Sequence, residues 1–108
     1  MFEPTKHVTT FFISAFQRYD GALVLDELKP GMNLEMVAMP DNPYDPDAIA
    51  LYHNKVMLGY VPRNENDLIA QMLRFSHDNV FEARVLQVDP EAEPWNQVRV
   101  GIYVVDAR

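Results

Sequence analysis

Pro40, Pro43 and Pro46 fall within seven residues, with Asp41, Asn42, Tyr44 and Asp45 between them. Proline carries no amide donor and pushes the residue before it out of the helical region. This stretch is therefore neither a helix interior nor a central strand. The chain must turn near its middle, and the regular elements on either side have to be short.

Around that break the apolar residues recur with a period near two, or run continuously over short spans closed by turn residues, which is a strand signature. Val8 to Phe16 is the first such span, ending at Arg18-Tyr19-Asp20-Gly21. Ala22 to Leu28 and Asn33 to Met39 follow, separated by the turn Lys29-Pro30-Gly31. In Asn33 to Met39, Leu34, Met36 and Ala38 share one face and Glu35 and Val37 the other. Ala48 to Tyr52 and Val56 to Val61 form a hairpin around His53-Asn54-Lys55, in which Gly59 marks a close backbone approach or a bulge. One helix follows, with Asn64 as its N-cap, Glu65 and Asp67 in its first turn, and Leu68, Ile69, Met72, Leu73 and Phe75 as its core stripe. The last quarter is a second hairpin. Phe81, Ala83 and Val85 alternate with Glu82 and Arg84, and Val98, Val100, Ile102 and Val104 with Arg99, Gly101 and Tyr103. About six short strands and one main helix in 108 residues predict a mostly β chain, a strongly bent sheet or small barrel forming a single domain over 1–108.

Composition narrows the chemistry. There is no cysteine, which removes a thiol nucleophile, a redox pair and a cysteine-rich zinc site. His7, His53 and His77 are dispersed with no i, i+4 pair, so no metal and no cofactor are expected. Glycine-rich phosphate loops, Gly-x-Ser-x-Gly and His-Glu-x-x-His are all missing, and the chain is read as a non-enzyme. No apolar run is long enough to span a membrane and no leader pattern opens the chain, so the expected location is cytoplasmic. Nine basic against sixteen acidic residues, a net charge of −7, argue against a protein that coats a nucleic-acid backbone.

The densest local signal is Asn42-Pro43-Tyr44-Asp45-Pro46-Asp47-Ala48-Ile49, followed at short range by Gly59-Tyr60-Val61-Pro62-Arg63. With the upstream Phe16-Gln17-Arg18-Tyr19-Asp20-Gly21 and Leu28-Lys29-Pro30-Gly31, this order of elements over roughly Val8 to Phe75 resembles the HIRAN domain. The resemblance implies a small OB-like or SH3-like β-barrel. It also implies binding of single-stranded DNA, in the best-understood members by capture of a free 3′ end, in DNA repair or replication-fork processing. Those members are modules of large helicase-like remodelling enzymes, so a helicase or other DNA-processing protein acting in trans is the implied partner.

Carried over by residue, Tyr44 would stack on or flank the terminal nucleotide and Asp45 would accept a hydrogen bond from its 3′-hydroxyl. Asn42 would hold the loop or contact the base, Tyr60 would line the pocket and Arg63 would meet a phosphate. Arg18 and Tyr19 complete the implied binding set. The chain departs from helicase-type members at Gln17 and Arg18, where those carry a basic and then an aromatic residue. The physical chemistry agrees with end recognition: a ring stacks on any base, and a carboxylate can choose a free hydroxyl over an internal phosphodiester, which has no proton to donate. Few phosphates need be met, and a local rim of Arg18 and Arg63, with Lys55 or Arg74, would suffice.

Each residue also has an architectural reading. Asn42 and Asp45 can fix a rigid loop by accepting from its amides, with the Tyr44 ring packed on the barrel. A rival function follows from it, an acidic protein-interaction module that docks a DNA-processing partner through the loop Asp89 to Asn96 without touching DNA. Trp95 in that loop either lids the barrel end or meets a partner. A third reading, a hydrolase holding a divalent ion on Asp41, Asp45 and Asp47, has oxygen ligands but no identified base.

Overall fold

The alternating spans become strands because each has one apolar face to bury. A computed structural model of the chain describes residues 5–16, 20–74 and 81–105. Among the described residues six antiparallel strands form: β1 (Thr5–Phe12), β2 (Asn33–Ala38), β3 (Ile49–His53), β4 (Val56–Tyr60), β5 (Phe81–Val88) and β6 (Val98–Val105). One α-helix, α1 (Asp67–Arg74), lies between β4 and β5. The strand order is β1-β6-β5-β2-β3-β4, curled into a half-barrel.

Its two ends meet at one antiparallel bridge. Beyond β1 the amide of Ile13 still bonds the Val98 carbonyl at 3.0 Å, while Ser14 exchanges both backbone hydrogen bonds with Tyr60 at 2.9 Å. The chain can approach β4 this closely because Gly59 has no side chain. A Cβ there would stand 2.4 Å from the Ser14 carbonyl oxygen, and its φ of +149° lies where other residues are strained. Gly59 is thus a close approach, as its sequence setting predicts, and the β3–β4 register also slips between Leu51 and Tyr52.

Inside the curl, Ile49 and Leu51 of β3, Leu58 of β4, Val85 of β5 and Val100 and Ile102 of β6 are fully buried. Each such side chain contributes about 1.5–3 kcal/mol of hydrophobic stabilisation. The β3–β4 turn places Asn54 and Lys55 at φ values of 49° and 69°, the two left-handed residues of a two-residue hairpin.

Four expectations are corrected. Ala22 to Leu28 is not a strand: Asp20–Glu27 forms a 3₁₀ helix. Leu25 and Leu28, three apart, turn to the same core, which a helix with three residues per turn permits, and Leu23 is left exposed. The first strand stops at Phe12 rather than Phe16, because the chain crosses there from β6 to β4 and Ala15 takes a φ of 61°. The helix is capped by Asn66, not Asn64. A 3₁₀ turn occupies Arg63–Glu65, and the Asn66 carbonyl accepts from the Ala70 amide at 2.8 Å. Finally, Leu68 is exposed: Ile69, Ala70 and Leu73 pack into the core, Leu68 falls about 100° to one side of Ile69, and the side chain of Met72 lies outside the described residues. Phe75 and His77 lie outside the described residues.

Candidate functional site

The proline segment returns on itself between β2 and β3. The amide of Met39 bonds the Ala48 carbonyl at 2.8 Å, and those of Asn42 and Ala48 bond the carbonyls of Met39 and Asp45. Asparagine at a turn can accept from amides two and three residues on, and Asn42 Oδ1 does so from Tyr44 at 2.9 Å and Asp45 at 3.1 Å. Its acceptor is spent on the loop, so Asn42 shapes the site from beneath.

Asp45 joins that loop to the helix entrance. Its Oδ1 accepts from the Asp47 amide at 2.9 Å and its Oδ2 from the Asn66 side-chain amide at 2.9 Å. The Arg63 guanidinium lies 3.6 Å from Oδ2 and also donates to the Tyr44 carbonyl. These groups hold the Asp45 carboxyl below the usual aspartate range. The Asn66 hydrogen bond contributes most, burial opposes it, and the Asp47 amide and the Arg63 charge add to the lowering. Asp45 is therefore an ionised acceptor at neutral pH. A carboxylate has about four lone-pair positions, and this one remains 19% exposed, leaving room for a further donor.

Clamped at Asn42, Asp45 and Arg63, the loop directs the Tyr44 side chain outward, 84% exposed. The architectural reading expects this ring to pack on the barrel; it does not. Beside it opens a pocket of about 380 Å³ lined by the loop, by Ser14 and Ala15, and by Tyr60, Val61 and Arg63. Its lining holds one acid and one base, Asp45 and Arg63, which face each other. The surplus of negative charge is thus not concentrated in the pocket wall.

Five of the seven residues singled out from sequence, Asn42, Tyr44, Asp45, Tyr60 and Arg63, line this one pocket. Arg18 and Tyr19 lie outside the described residues, as does the side chain of Arg74. Lys55 does not join a rim, because it sits at the far end of β4 from Tyr60, about 16 Å along the strand. Sequence reasoning missed Ser14, Ala15 and Asn66. Ser14 carries a signal as the polar residue that closes the apolar run Phe11-Phe12-Ile13. Asn66 carries one in standing immediately before the acidic first turn of α1.

The third reading places a divalent ion on Asp41, Asp45 and Asp47. Of these, the Asp45 carboxylate is bonded by an amide and faces a guanidinium, and among the described residues no three acids or histidines gather as ligands. Trp95 stands in the β5–β6 loop, 54% exposed. No helix among the described residues is long and apolar enough to cross a membrane.

A family model for the HIRAN domain matches residues 6–105. The chain belongs to the HIRAN domain family. That family is known as a nucleic-acid-binding module. In fold, this HIRAN domain is similar to a protein from Lactobacillus plantarum seen in a crystal structure, with 18% identity and a TM-score of 0.80 over 97% of this chain and 99% of that one. It is also similar to the HIRAN domain of human HLTF, with 17% identity and a TM-score of 0.55 over 91% of this chain and 76% of that one. Both likenesses support the OB-like half-barrel. No curated protein matches the chain in sequence.

Proposed function

We propose that this HIRAN domain is a non-catalytic module that binds single-stranded DNA by taking a free 3′ end into the pocket beside Tyr44. The observation that carries this reading is the pairing of an 84% exposed tyrosine ring with an ionised, partly open carboxylate on the same clamped loop. The ring offers a stacking surface to any base. Asp45 accepts from a terminal hydroxyl, and a strand ending in phosphate offers it a second negative charge instead. Arg63, 74% exposed, presents the rest of its guanidinium to a backbone phosphate. The setting is DNA repair or replication-fork processing in the cytoplasm, with a helicase or other DNA-processing protein supplied in trans.

Binding at low salt to one oligonucleotide ending in a 3′-hydroxyl and to the same strand ending in a 3′-phosphate tests the reading. The hydroxyl end binds at least tenfold tighter. Tyr44→Ala weakens it about 5- to 150-fold, the equivalent of one lost stack of about 1–3 kcal/mol, and leaves folding stability within about 0.5 kcal/mol. Equal affinity for the two ends would overturn end capture.

One observation favours the rival reading, docking of a protein partner. Trp95 is more than half exposed among Asp89, Glu91 and Glu93. On that reading, Trp95→Ala abolishes capture of the partner and Tyr44→Ala does not.

A further inference from the structure

The pocket accounts for one nucleotide and leaves open where the strand behind it runs. The outward side of β1 answers this. Buried Phe11 and Ile13 alternate with Phe12 and Ser14, so Phe12 and Ser14 face the same way, two residues and about 7 Å apart. Ser14 is in the pocket wall, and Phe12 is 38% exposed. Directly across from Phe12 on β6 stands Arg99, which is exposed and pairs with no carboxylate among the described residues. An aromatic ring and a cation with no carboxylate partner among the described residues thus lie side by side, two residues along the chain from the pocket wall at Ser14, in a chain whose net charge is −7.

We propose that the nucleotides preceding the captured end lie across Phe12 and Arg99, a base on the ring and a phosphate on the guanidinium. This rests on the end-capture reading and extends it from a one-nucleotide pocket to a short track. The same face shows where the track stops. Two pairs further along, the Tyr103 ring packs so closely on Gly101 that a Cβ there would lie 2.9 Å from it. Arg84 sits 4.8 Å from the centre of that ring, and the His7 ring meets it edge-on with the ring centres 5.5 Å apart. Tyr103 is occupied by its own neighbours, and Arg84 is tied to Glu82. Neither is open to a base or a phosphate as Phe12 and Arg99 are, so the track covers two or three nucleotides in all.

Two probes with free 3′-hydroxyls test this: thymidine 5′-monophosphate, which fills the pocket alone, and an eight-residue oligothymidylate. The native chain binds the oligomer more tightly. Phe12→Ala weakens the oligomer about 5- to 150-fold and leaves the mononucleotide unchanged, which also shows that the variant is folded. Arg99→Gln likewise acts on the oligomer alone and makes its log-log salt slope shallower by about 0.7, the share of one phosphate. Native oligomer affinity in both variants, with Tyr44→Ala losing both probes, would refute the track and leave end capture standing. Equal weakening of both probes by Phe12→Ala would also refute it. Failure of the native chain to bind either probe would refute end capture itself, and the track with it.

Discussion

Removing the Asn66 side chain tests how the site is held. Asn66 is 2% exposed and donates to Asp45 Oδ2 at 2.9 Å, tying the start of α1 to the proline loop. Hydrogen bonds to charged groups contribute about 1.5–3 kcal/mol. Because Asp45 keeps 19% of its side-chain surface in water, which can replace part of the bond, Asn66→Ala belongs near the low end, about 1.5 kcal/mol. The assay is urea denaturation of the native chain, Asn66→Ala, Asp45→Ala and the double variant at pH 7, with a coupling of about 1–2 kcal/mol between the two positions. The effect depends on pH with a definite sign. The Asp45 carboxyl is lowered in the folded chain, so its stabilisation is complete above the unfolded value of about 3.9 and is lost as pH falls through the lower folded value. The gap between the native chain and Asn66→Ala is therefore constant from neutral pH down to about pH 5 and closes in acid below about pH 4. A coupling under about 0.3 kcal/mol, or a gap that widens in acid, would refute this account of the clamp.

Gly59→Ala should lower stability by at least about 2 kcal/mol in urea denaturation, because the added methyl meets the Ser14 carbonyl and Ile13 at an unfavourable φ. A smaller loss would mean that the β1–β4 junction relaxes freely. Because end capture neutralises only about two or three phosphates, log affinity against log salt should fall with a slope of about −1.4 to −2.1, whatever the oligonucleotide's length beyond the track. A slope that steepens with length would indicate a backbone-coating mode instead.

What the sequence made legible follows from range. The β5–β6 hairpin was readable because one face is buried: Ala83, Val85, Val98, Val100 and Ile102 go inward at every second position. The Asn42-Pro43-Tyr44-Asp45 loop was readable because its hydrogen bonds are local, Asn42 to the next two amides after Pro43 and Asp45 to Asp47. Ala22 to Leu28 was misread because a short continuous apolar run has no period to separate strand from helix, and its packing against the core decided the matter. Ser14 and Asn66 were missed because their roles depend on partners far along the chain, Tyr60 for the one and Asp45, 21 residues away, for the other. The exposure of Tyr44 was equally hidden. The motif places the ring on the loop, but only the clamp by Asn42, Asp45 and Arg63 turns it outward.

The claim that the pocket beside Tyr44 receives a strand terminus is tested most directly by titrating isotope-labelled protein with a short 3′-hydroxyl oligothymidylate and following backbone amide resonances. The account predicts that the largest shifts fall at Ser14, Ala15, Tyr44, Asp45 and Tyr60, with the track adding Phe12 and Arg99. Shifts confined to the loop from Asp89 to Asn96, or spread evenly over the surface, would contradict it.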